Sequence, residues 1–200
     1  MHTRSAALAL VALLAVVPLN AQQNLTKQDA DRFEAKLGKI VVQGKAASLK
    51  SAQPRSTPIT DNELNSYLRF NAKQQVPVGV LEPTINALGD GRVSGRAVVD
   101  LDIVRKQKQR GWLDPVNYLS GRLPVTAAGR LTTKDGRGQF QLESAEISGV
   151  TVPKAVLQEL LSFYSKTPEN PSGINMDAPF ELPAAIREIR VGSGTSTIIQ

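Results

Sequence analysis

Asp100 and Asp102 stand two residues apart in "GDGRVSGRAVVDLDIV" (89–104), a spacing that puts both carboxylates on one face of a strand. Such a pair could hold a divalent cation or divide acid and base work. The rest of that face is Ser94, Arg96 and Val98, which supplies no third ligand, so a solvated sheet face is the better reading. Glu143 and Glu146 straddle an expected bulge at Ser144 and read the same way, because a glycosidase pair also needs a groove between its carboxylates. A hydrolase built on Asp100 and Asp102 is the least favoured function. The segment "RKQKQRGW" (105–112) has two readings. As a membrane-surface contact, Lys106, Lys108, Arg110 and Trp112 would meet anionic headgroups. As a connection, it is solvated and its tryptophan packs under the sheet edge, which is the commoner arrangement.

Absences narrow the chemistry further. The chain has no cysteine, and its one histidine is His2. Thiol nucleophiles, cysteine metal sites and disulfide frameworks are therefore excluded. Residues 1–21 read as a secretory signal peptide: a charged start, the apolar run "SAALALVALLAVV", and a small residue, Ala21, at the exit. That run falls short of the ~20 apolar residues that span a bilayer. Export would remove His2, and with it serine–histidine catalysis and histidine-ligated zinc. The reading assigns no catalytic residue, no metal and no cofactor. Of the 24 Lys and Arg, Arg4 leaves with the leader, and the remainder face 18 Asp and Glu. This modest basic excess favours anionic surfaces. Nucleic acid is not expected, since no aromatic residues interleave with a dense basic run.

The elements that must position these groups follow from periodicity. Residues 22–58 hold an amphipathic helix over 24–46 and a linker broken by Pro54 and Pro58. Residues 59–200 form one domain. It opens with Thr60 and Glu63, a capping box for a short helix. Strand patterning begins at Val76, with an irregularity expected at Pro83. The Asp90-Gly91 turn sets Leu88 opposite Val93. Val93, Gly95, Ala97, Val99, Leu101 and Ile103 then alternate with polar residues, as in a strand of roughly 33 Å. Leu123, Val125, Ala127, Gly129 and Leu131 repeat the pattern. A turn at Asp135-Gly136 sets Leu131 opposite Phe140 and Gly129 opposite Leu142. Pro153 opens a helix whose stripe is Val156, Leu157, Leu160, Leu161 and Tyr164. The order is α+β with an antiparallel sheet.

Four segments carry a resemblance: "ITDNELNSYL", "LGDGRVSGRAVVDLDI", "TKDGRGQFQLESAEISGVTVPKAVLQELL" and "FELPAAIREIRVGSG". In this order they resemble bacterial exported lipid-binding domains of the LmeA type, within the tubular lipid-binding (TULIP, BPI-like) superfamily. The resemblance covers about residues 59 to 199 and leaves the N-terminal helix outside. It implies a long, curved antiparallel sheet wrapped on a helix, with a groove for acyl chains and no enzyme chemistry. The lipid-contacting positions are nominated from periodicity alone. On the first long strand they are Val93, Val99, Leu101 and Ile103, and on the next Leu123, Val125 and Leu131. Phe140 and Leu142 follow, with Leu157, Leu160, Leu161 and Tyr164 on the helix. The expected function is exported, non-enzymatic binding of a lipid or other apolar molecule, at the periplasm or outside the cell. The alternative is an envelope scaffold with a closed core, its N-terminal helix binding a partner.

Overall fold

The computed structural model describes residues 24–47, 54–103, 120–164, 166 and 170–200. Helix α1 (Lys27–Ala47) starts where Thr26 accepts the Asp29 N–H at 3.1 Å and donates its hydroxyl to the Asp29 carboxylate. Its buried residues Ala30, Phe33, Ile40 and Gly44 recur at helical spacing. Strand β1 (Ser56–Thr60) runs directly into helix α2 (Asp61–Phe70), where both halves of the predicted capping box form.

The long sheet contains β2 (Val80–Gly89), β3 (Arg92–Asp100), β4 (Arg122–Lys134), β5 (Arg137–Ile147) and β6 (Val150–Thr151), in that order. A sixth strand, β7 (Phe180–Glu181), pairs with the start of β5. All pairings are antiparallel. Helix α3 (Lys154–Tyr164) follows β6 and touches the long sheet chiefly at β5. Strands β8 (Glu188–Val191) and β9 (Thr195–Ile199) join β1 in a second sheet of order β1-β9-β8. The architecture is α+β, with a long antiparallel sheet and helices.

The buried core lies at the small sheet. Phe33 and Ile40 of α1 meet Ile59 of β1, Ile186 and Ile198, with Leu37, Leu64, Tyr67 and Ile189 packed around them. Phe33 and Tyr67 pack as a tilted ring pair, 4.9 Å between centroids. The N-terminal helix therefore supplies the centre of this core. It approaches so closely at Gly44 that a Cβ there would lie 2.2 Å from the Ala184 carbonyl oxygen.

Two details of the sheet differ from the sequence reading. The strand from Arg92 ends at Asp100, and residues 101–103 are helical. The cause is Asp100 itself, whose carboxylate accepts the Ile103 N–H at 3.1 Å, as a helix cap does. At the first hairpin, Ala87 rather than Leu88 faces Val93. Gly89 pairs with Arg92, so Leu88 is the extra residue of a bulge and bridges Ser193 instead. Ala87 is held in place by the Asp61 carboxylate on its N–H and the Gly194 N–H on its carbonyl.

Candidate functional site

The strand register assembles one apolar face from four strands. Along β3 and β4, Val93 faces Gly129, Gly95 faces Ala127, Ala97 faces Val125, and Val99 faces Leu123. Strand β5 adds Phe140 opposite Leu131, Leu142 opposite Gly129, and Ile147 opposite Val125. Directly opposed residues project from the same side of a sheet. The structure thus brings together seven nominated positions: Val93, Val99, Leu123, Val125, Leu131, Phe140 and Leu142. The Phe140 ring lies over Gly129, where a Cβ would come within 2.5 Å of it. All seven are half-buried, whereas the residues of the main core are sealed.

The remaining nominated positions fall elsewhere. Leu101 is buried and Ile103 half-buried in the helical residues that follow β3. Leu157 and Leu161 lie half-buried on α3. Leu160 and Tyr164 belong to α3, but their side chains lie outside the described residues, as do Lys106, Lys108, Arg110 and Trp112. Strand β2 contributes Val80, Ile85 and Ala87 to the same face, opposite Val99, Gly95 and Val93. Sequence patterning missed these three, because the register shifts between Leu81 and Thr84, around Pro83. Glu82, beside that proline, has φ 49°. The proline is the signal that an irregularity interrupts the alternation.

Asp100, at the end of β3, and Asp102, in the helical residues that follow, do separate structural work. The Ile103 N–H and the Arg122 guanidinium, 3.1 Å away, hold the Asp100 carboxyl below its ordinary range. Asp102 accepts the Gly121 N–H at 3.3 Å. With the strand ending at Asp100, the two carboxylates do not share a strand face. Among the described residues, no three His, Cys, Asp or Glu side chains converge as a metal site would require. None of the described helices is long and apolar enough to cross a membrane.

Two cavities accompany the sheet. One, of about 600 Å³, lies between the Asp135–Arg137 turn and the segment from Glu181 to Arg187. The other, of about 300 Å³, is a recess on the polar face, among Ser94, Arg96, Thr126 and Glu146. No nominated apolar residue lines either one.

No protein-family model and no curated protein matches the chain. Among solved structures, a lipopolysaccharide binding protein is similar at 14% sequence identity and a TM-score of 0.22. The match covers 72% of this chain and 40% of that one, so the chain spans less than half the length of that neighbour.

Proposed function

We propose that this is an exported, non-enzymatic protein that binds a lipid or another apolar molecule on the apolar face of its long sheet, as the LmeA-type resemblance implies. The observation that carries this reading is a continuous apolar face left half-exposed while the main core packs elsewhere. Contiguous apolar surface of this kind commonly marks a binding site. Its rows set small residues (Gly95, Ala97, Ala127) beside branched ones, a relief against which an apolar chain could lie. A non-enzymatic role agrees with a chain that lacks cysteine and has its one histidine at position 2.

Native mass spectrometry after gentle purification tests this directly. A retained lipid is expected, along with displacement of a fluorescent fatty acid that Leu131→Asp weakens without unfolding the protein. Protein that carries no lipid, and that ignores fatty-acid probes in vesicle-free solution, sinks the proposal and leaves the envelope scaffold as the better reading.

A further inference from the structure

The polar face of the long sheet carries a recess of about 300 Å³ that the apolar-ligand reading does not use. Its lining sets six side chains that can hydrogen-bond, Asn86, Ser94, Arg96, Thr126, Ser144 and Glu146, among Gly95, Ala127 and Ala128. Two cross-strand rows build it. The first runs Asn86, Ser94, Ala128, Ser144, and the second runs Thr84, Arg96, Thr126, Glu146. Every residue of the first row is small or short, so that row forms the floor. The longer Arg96 and Glu146 stand as exposed walls beside it.

Charge placement specifies the occupant. Arg96 and Glu146 share a row with Thr126 between them, so their backbones are about 10 Å apart. Farther along the sheet, by contrast, Arg130 is met by Glu143 at 3.8 Å. Arg96 has no ion pair among the described residues. Its guanidinium lines the recess together with the Ser94, Thr126 and Ser144 hydroxyls, and such a fork can take a phosphate or carboxylate in two parallel bonds. Glu146 on the far wall can only accept hydrogen bonds when ionised, so it demands a donor such as a ligand hydroxyl. An apolar guest would give these groups no hydrogen-bonding partner.

We infer that this recess is a second binding site, for a small anionic polyol: Arg96 holds the phosphate or carboxylate, and Glu146, Ser94, Thr126 and Ser144 hold the hydroxyls. Such a group occurs both in free polyol phosphates and in glycerophospholipid headgroups. The site lies on the face opposite the apolar one, so it stands or falls independently of the lipid proposal.

The test is an NMR titration of the full isotope-labelled protein with glycerol 3-phosphate, set beside sedimentation with phosphatidylglycerol vesicles. Saturable amide shifts at Ser94, Arg96, Thr126 and Ser144 are expected from the free ester if soluble polyol phosphates are the source. Vesicle binding lost in Arg96→Gln is expected if headgroups are. In whichever arm binds, Arg96→Gln should weaken binding at least about tenfold, the loss of one charge-assisted hydrogen bond. Glu146→Gln should weaken glycerol 3-phosphate but leave inorganic phosphate unchanged. Arg137→Gln, outside the recess, should change nothing, and circular dichroism should report intact folds throughout. Binding in neither arm overturns the inference. So does binding that Arg96→Gln leaves intact, or, where the free ester is what binds, a glycerol 3-phosphate affinity no greater than that of inorganic phosphate.

Discussion

At the residue scale, the clearest strain sits in the Pro183–Ile186 turn. Ala184 and Ala185 have φ of 54° and 55°, and the Ile186 N–H closes the turn on the Pro183 carbonyl at 3.0 Å. The left-handed region costs a residue with a Cβ about 1–2 kcal/mol. Ala185 is exposed, so Ala185→Gly removes that cost and loses little packing. After subtraction of the extra entropy of glycine in the unfolded chain, a gain of about 0.5–1 kcal/mol remains. For a chain of this size, the melting temperature should then rise by about 1–4 °C. Gly44→Ala should act in the opposite sense, although alanine is the better helix former. Its Cβ would meet the Ala184 backbone at 2.2 Å, and overpacking of that kind costs about 1–3 kcal/mol. Calorimetry on the two variants checks both signs. A Gly44→Ala protein as stable as the parent would mean that α1 does not press on this turn.

At the scale of elements, α2 ties the helices to the long sheet through polar side chains. Asn65 is fully buried; its amide donates to the Ile85 carbonyl at 2.9 Å, and its oxygen accepts the Ile85 N–H at 2.8 Å. It thereby occupies part of the outer edge of β2 as a neighbouring strand would, which protects that edge from stray pairing. Asn65→Ala removes both bonds to the Ile85 backbone from a fully buried position and should cost about 1–3 kcal/mol, measured by urea unfolding. On the other side of α2, the ammonium of Lys36 lies 2.7 Å from both carboxylate oxygens of Glu63. Burial opposes ionisation of Glu63, but the bonds from Lys36 and the Thr60 N–H outweigh it and hold the carboxyl below its ordinary value of 4.5. A group whose folded pKa is depressed stabilises fully above its unfolded pKa and loses that contribution as pH falls through the folded one. Stability should therefore decline below about pH 4.5 in the parent, and the slope should flatten in Glu63→Gln. An unchanged slope would remove Glu63 from the account of acid sensitivity. The capping box was legible because its partners are three residues apart. The grip of Asn65 on Ile85 was not, since nothing local marks an asparagine on a helix as the partner of a strand edge.

At the scale of the whole molecule, packing divides into a sealed core and a half-open face. The second hairpin was legible in full register, Leu131 to Phe140 and Gly129 to Leu142, because its turn and its alternation agree. The sealed core was not legible. Phe33 and Ile40 meet Ile186 and Ile198 across most of the chain, and periodicity reports which face of an element is apolar without naming its partner. The early strand of the first hairpin was obscured by the bulges near Pro83 and Leu88, and β3 was read too long because Asp100 caps a helical turn. The same division predicts how two apolar substitutions should differ. Phe33→Ala opens a cavity in the sealed core and should cost about 3–5 kcal/mol. Val125→Lys puts a charge on the half-exposed face, where the long stem can lie along the sheet with its ammonium in water. It should cost little stability, yet sharply reduce the binding of an environment-sensitive apolar dye that the parent takes up in its folded state. Melting curves and dye fluorescence on the same samples separate the two effects. If Val125→Lys unfolds the protein as Phe33→Ala does, the face is a second core rather than a surface, and a ligand has no place on it.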